Sequence, residues 1–274
     1  MRNVKYFLYF CKLAISIGSI FLFMRNVFII ILLSVCYAGV GRVDGQELPE
    51  KNAVVSLSDS AVEALYAEGK GLFLQKEYAR AAEVFSKMIS LNASLATAYN
   101  DRGSCYRMLG AYERAAADYS SAIMYRPCAI YYCNRGSIRV KMDDYEGAVS
   151  DYSLAHALDS TYYLALNNRG IVYLNMGAYR RAVEDFSACI RLNPSNHLLY
   201  NNRGIAYYKL KEFEKSISDF DTAISLNADY GNAYLHRGNL KEMLDDDAGA
   251  CEDWSHASVL GVRQAENCLK NCRN

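Results

Sequence analysis

Asn168-Arg169-Gly170-Ile171-Val172-Tyr173 returns 34 residues later as Asn202-Arg203-Gly204-Ile205-Ala206-Tyr207. Its glycine is one of six: Gly69, Gly103, Gly136, Gly170, Gly204 and Gly238 stand 34, 33, 34, 34 and 34 residues apart. A period of that size marks an array of small units that bury their apolar faces by stacking on one another. Nearly everything after residue 60 is therefore one unit repeated six times.

With these glycines as position 8 of the unit, position 20 reads Ala81, Ala115, Ala148, Ala182, Ser216 and Ala250, and position 27 reads Met88, Ala122, Ala155, Cys189, Ala223 and Ala257. Position 11 reads Leu72, Tyr106, Arg139, Tyr173, Tyr207 and Lys241, and position 24 reads Phe85, Tyr119, Tyr152, Phe186, Phe220 and Trp254. Steps of three and four residues place each set on one helix face, and a break near position 15 separates two helices of about a dozen residues. The break carries Lys76, Gly110, Asp143, Gly177, Lys211 and Asp245, where Gly or Asp suits a helix-ending turn. Pro127 and Pro194 at position 32 close two units.

This pattern resembles the tetratricopeptide repeat, a helix-turn-helix of 34 residues, and is nearest its bacterial-type version. The resemblance covers roughly residues 60 to 262 and implies an all-α fold, a right-handed superhelix of six repeats. The units are about 62–95, 96–128, 129–162, 163–196, 197–230 and 231–262, with a polar capping helix over 263–274. Arg139 and Lys241 depart from the aromatic at position 11, and Ala93, Ser160, Ala228 and Val262 replace proline.

Position 7 is arginine in five units (Arg102, Arg135, Arg169, Arg203, Arg237), and position 23 is aspartate in the same five (Asp118, Asp151, Asp185, Asp219, Asp253). The first unit loses both together, to Glu68 and Val84. Joint presence and joint absence point to an ion pair within or between units, so these arginines are scaffold.

The chain of 274 residues balances 30 basic against 30 acidic side chains, without the basic excess that phosphate-backbone binding requires. Nucleic acid is therefore not an expected partner. Most of the 23 tyrosines recur at packing columns 4, 11, 17 and 24, which makes them core rather than base-stacking groups. His156, His197, His236 and His256 do not pair at metal-ligand spacing, and no phosphate loop, nucleophile elbow or Ser/His/Asp set stands outside the repeat columns. No cofactor, metal or small-molecule substrate is expected, and the chain does not read as an enzyme. Asp143, Asp144 and the run Asp245 to Asp247 fall in inter-helix turns, where helix N-termini favour them.

Residues 1–40 read differently, with apolar runs Ala14 to Met24 and Val27 to Val40 split by Arg25-Asn26. Three readings fit: a cleaved signal peptide, best formed if translation starts at Met24 and cut after Ala38; an uncleaved membrane anchor; or a lipoprotein modified at Cys36. All three export the repeats, to the periplasm or to the membrane of the cell envelope. Residues 41–59 read as a linker, and Ser60 with Glu63 as the capping box that opens the first repeat helix. Export permits disulfides. A return helix after Gly261 brings residues near 270 opposite Cys251, which makes Cys268 or Cys272 its candidate partner, free core thiols being the alternative; Cys128 with Cys133 is a weaker pair.

The resemblance also implies a concave face lined by first helices at positions 2, 5, 9 and 12. Carried onto this sequence, those positions give an apolar strip of Leu164, Ile171 and Leu174, then Leu198, Ile205 and Tyr208, flanked by the amides Asn167 and Asn201. Asn100 and Arg107 lie toward one end and Asn239 toward the other. Asparagine both donates to and accepts from a peptide backbone, so the expected ligand is an extended or helical peptide segment of a protein partner. The expected function is a non-catalytic adaptor of the cell envelope; the alternative is a self-associating structural envelope protein.

Overall fold

The computed structural model describes residues 51–270 and 272. The readings of residues 1–40 and of Gly41 to Glu50 lie outside the described residues. Thirteen helices and no strand make up the described part. First and second helices alternate: α1 Lys51–Leu74, α2 Tyr78–Leu91, α3 Ala96–Met108, α4 Tyr112–Tyr125, α5 Ala129–Lys141, α6 Tyr145–Leu158, α7 Tyr163–Asn175, α8 Tyr179–Leu192, α9 His197–Lys209, α10 Phe213–Leu226, α11 Gly231–Met243 and α12 Asp247–Val259. The short α13, Arg263–Cys268, follows.

One boundary differs from the sequence reading. The first helix starts by Lys51, so residues 51–59 are helical rather than linker, and Ser60 stands inside a helix instead of capping one. The stretch from Lys51 to Glu68 contains neither Gly nor Pro, and a polar Ser-Glu pair does not interrupt a helix that nothing else stops.

All six turns are built alike. Lys76, Gly110, Asp143, Gly177, Lys211 and Asp245 have φ between 59° and 75°. The next residue's N–H reaches back to the carbonyl at position 11, as in Ala111 to Tyr106 at 2.9 Å and Ala178 to Tyr173 at 2.8 Å. This closure satisfies the last carbonyls of the first helix and reverses the chain.

The small residues at 20 and 27 and the rings at 24 are buried in every unit. The ring packs onto the glycine of its own unit so closely that a Cβ at Gly170 would lie 2.8 Å from Phe186, and one at Gly204 would lie 2.7 Å from Phe220. The repeated glycines therefore set how near the two helices of a unit come. Ser216, the one polar member of column 20, donates to the Gly204 carbonyl at 2.8 Å, which removes the cost of burying its hydroxyl.

The arginines at position 7 join three helices. Arg169 meets Asp185 through Nε and Nη2 at 2.8 and 2.7 Å, a bidentate pair between α7 and α8. Its Nη1 donates to Ser153 Oγ on α6, in the preceding unit, at 2.8 Å. Arg102, Arg135 and Arg203 repeat this with Ser86, Ser120 and Ser187, and Arg237 reaches Asp221 in place of the serine. In the first unit Val84, which stands in place of the aspartate, is buried as an ordinary apolar residue.

Units three and six solve the same problem differently. In units two, four and five a cation at position 19 lies over the tyrosine at 11, as Arg114 does over Tyr106 at 3.8 Å. Arg139 and Lys241 instead bring the cation from position 11, each reaching its unit's buried aspartate, Asp151 or Asp253, at 3.0 Å. Position 19 is then Gly147 or Gly249, whose N–H is capped by Asp144 or Asp246 at 2.9 and 3.0 Å. The acidic turns are thus caps of α6 and α12.

The array ends in a lid. Gly231 lets the chain after α12 pack down, since a Cβ there would lie 2.6 Å from Val262. The helix that follows is shorter than the 263–274 segment read from sequence, ending at Cys268 with Asn267, a weak helix former, in its last turn. A disulfide ties Cys272 to Cys251 of α12 across 21 residues, and Cys268 remains a thiol. Cys128 and Cys133 are both free, so that pairing is absent; Cys133 is buried and its thiol is pushed up to about 12 by desolvation.

Candidate peptide-binding groove

Successive first helices touch one another: α3 with α5, α5 with α7, α7 with α9 and α9 with α11. Among the described residues no two second helices approach to the same degree. The array therefore curves toward its first helices, which line the inner face. The surface on offer is set by which side chains of these helices remain uncovered.

Position 2 supplies an apolar row. Leu164 and Leu198 are 39% and 43% exposed, and Ile130, one unit earlier, is 47% exposed. Ile171 at position 9 adds 38%. Ile130 was not among the residues read from sequence, although its column, Ile130, Leu164, Leu198, was legible there. Ile205 and Tyr208 are half-buried and open into a cavity of about 230 Å³ between α9 and α11 that Lys209, Phe220, His236 and Asn239 complete. Leu174 is half-buried and packs on the core around Phe186, so it is partly structural.

The amides behave otherwise than the sequence reading has them. Asn201 is buried, 2% exposed, and its Oδ1 lies 2.9 Å from His236 Nδ1 in the next unit. Asn100 accepts from Asn134 of the next unit at 2.8 Å and donates to Asp101 at 3.0 Å. Both are bolts between units, because each meets the polar residue at position 6 of the next unit, and Asn201 has almost no surface left for a ligand. Asn239 similarly accepts the Trp254 indole N–H at 2.9 Å, although it still borders the cavity. Asn167 has only a 3.4 Å contact to Asn168 and is half-buried, which leaves it the amide best placed to meet a peptide.

Arg107 is exposed and borders a second cavity, of about 200 Å³, with Lys70, Phe73, Phe85, Asp101 and Ser104. Lys70 lies 3.5 Å from Asp101. Burial lowers the His236 pKa, so its ring favours the neutral form in which one nitrogen faces Asn201. No helix among the described residues is long and apolar enough to cross a membrane.

A tetratricopeptide-repeat family profile matches residues 163–196 and 197–230, and a second profile of the same repeat matches 66–131. The array is made of tetratricopeptide repeats. Such repeats build protein-protein interaction scaffolds, which accords with a long inner face and no single centre. Solved tetratricopeptide-repeat and related helical arrays superpose on it. PilF of Pseudomonas aeruginosa is 19% identical, with 79% of this chain and 99% of that one covered and a TM-score of 0.67. The Cut9–Hcn1 assembly of the APC/C gives 18%, 81% of this chain and 0.62, and this chain spans 46% of that relative. YrrB, described as a tetratricopeptide-repeat protein with an unusual peptide-binding site, gives 22%, 67% and 96%, and 0.55. At these identities the likeness is one of fold. No curated protein matches the sequence.

Proposed function

We propose that this protein is a non-catalytic adaptor of the cell envelope that captures an apolar peptide segment of a partner protein on the inner face of units three to five. The observation that carries the reading is the row Ile130, Leu164, Leu198 with Ile171: four large apolar side chains, each more than a third exposed, on consecutive first helices. Single exposed apolar residues are ordinary, whereas a contiguous set on a concave face marks a contact surface. Ile205 and Tyr208 extend it into a cavity that takes one anchoring side chain. The description of YrrB as a peptide binder agrees with this use of the fold. Placement in the envelope rests on the apolar amino-terminal runs in the sequence.

Affinity capture from the envelope fraction tests the reading. Leu164→Glu and Ile205→Glu should each lose the partner that the wild type retains while unfolding at nearly the same temperature. Retention of that partner by both variants, or recovery of the protein from the cytosol alone, contradicts it.

A further inference from the structure

The groove is one-sided in charge as well as apolar. The first helices α5, α7 and α9, which carry the strip, contain no aspartate or glutamate. Their arginines are already occupied: Arg135, Arg169 and Arg203 by Asp151, Asp185 and Asp219, and Arg139 by Asp151. Two cations on these helices, Lys141 and Lys209, have no ion-pair partner among the described residues.

Both lysines stand at position 13, two units apart, on either side of α7. Lys209 borders the cavity with Ile205 and Tyr208, and its Nζ lies 5.6 Å from the Tyr208 ring. Each stands in the last turn of its helix, where a cation also suits the helix dipole, and bulk charge does not account for them, since the chain is neutral overall. The acidic groups of the inner face lie toward its ends, where Asp101 sits beside Lys70 and Glu242 is exposed on α11.

We infer that the captured segment is acidic as well as apolar, with Asp or Glu side chains meeting Lys141 and Lys209 while its apolar residues cover Leu164, Ile171 and Leu198. This rests on the groove reading above and adds the partner's charge to it. A carboxylate arriving beside a low-dielectric apolar strip meets an unpaired ammonium there, and opposite charge across a contact gives both encounter rate and selectivity.

A random-peptide display library, selected in parallel on the full chain, on Ile205→Glu and on the double variant Lys141→Glu/Lys209→Glu, tests the inference. The wild type should select peptides enriched in Leu, Ile or Val together with Asp or Glu. Synthesised members should bind the double variant about tenfold more weakly and lose affinity as salt rises. Selection of neutral or basic peptides that still depend on Ile205 overturns the charge inference and leaves the groove standing. A wild-type pool indistinguishable from that of Ile205→Glu overturns the groove reading and the inference with it.

Discussion

Arg169 is the residue on which three helices meet, and its ion pair is sheltered: the arginine side chain is 19% exposed and that of Asp185 is 8% exposed. Removing one partner leaves a desolvated charge without its counter-charge, which costs more than the pair contributes. Asp185→Ala should therefore destabilise by about 3 kcal/mol, and Arg169→Met with Asp185→Leu by clearly less. Chemical denaturation of the three variants checks this; equal losses in single and double variants would contradict it. His236 makes a prediction about pH. Burial holds its folded pKa below the ordinary value of 6.5, so the unfolded chain takes up a proton the native state resists. Stability from this group is complete above about 6.5 and is lost as pH falls through the folded value. Thermal melts of wild type and His236→Gln should coincide in shape near neutrality and separate on acidification, the wild type losing more. Parallel decline of both would show that His236 does not titrate with unfolding.

Among the elements, the least repetitive one is the lid. Five turns lead the chain into the next unit, whereas after α12 it is α13 and the residues up to Cys272 that cover Leu235 and Trp254. The disulfide closes a loop of about 20 residues, for which chain-entropy arguments give a contribution of about 3 kcal/mol. In a stacked array this loss is local, since each unit contacts only its neighbours. Replacing Cys251 and Cys272 by serine should accelerate amide exchange in α11 and α12 while α3 to α7 exchange as before. Uniform acceleration along the array would mean that the lid stabilises the whole rather than its end. The elements also show what a sequence reveals well. The glycines, the small columns and the arginine-aspartate pairs were legible because a repeated unit states each packing rule several times over. The start of α1 was not, since Ser60 and Glu63 mimic a cap and only the absence of Gly or Pro upstream argues against one. The exchange of the cation between positions 19 and 11 in units three and six was missed because it needs two columns read together.

At the scale of the molecule, the exposed apolar strip was legible in the sequence and the partners of its amides were not. Leu164, Ile171 and Leu198 are exposed at the positions that the resemblance implies for the concave face. Asn100 and Asn201 each bond to the next unit, which was not legible because the side chain they meet lies one unit on and its distance depends on how the units stack. Lys209 and His236 entered the site for the same reason, through a cavity formed only when α9 and α11 come together. What remains is a concave apolar strip with Asn167 left open beside it, its other amides spent on the scaffold, and Lys209 at the adjoining cavity. Site-resolved photo-crosslinking addresses its use most directly, with a photoreactive residue placed at 171 on the inner face or at 184, an exposed position on the second helix α8. Capture of a peptide partner through position 171 and not through 184 is the predicted result; crosslinking through 184 with none through 171 would contradict it.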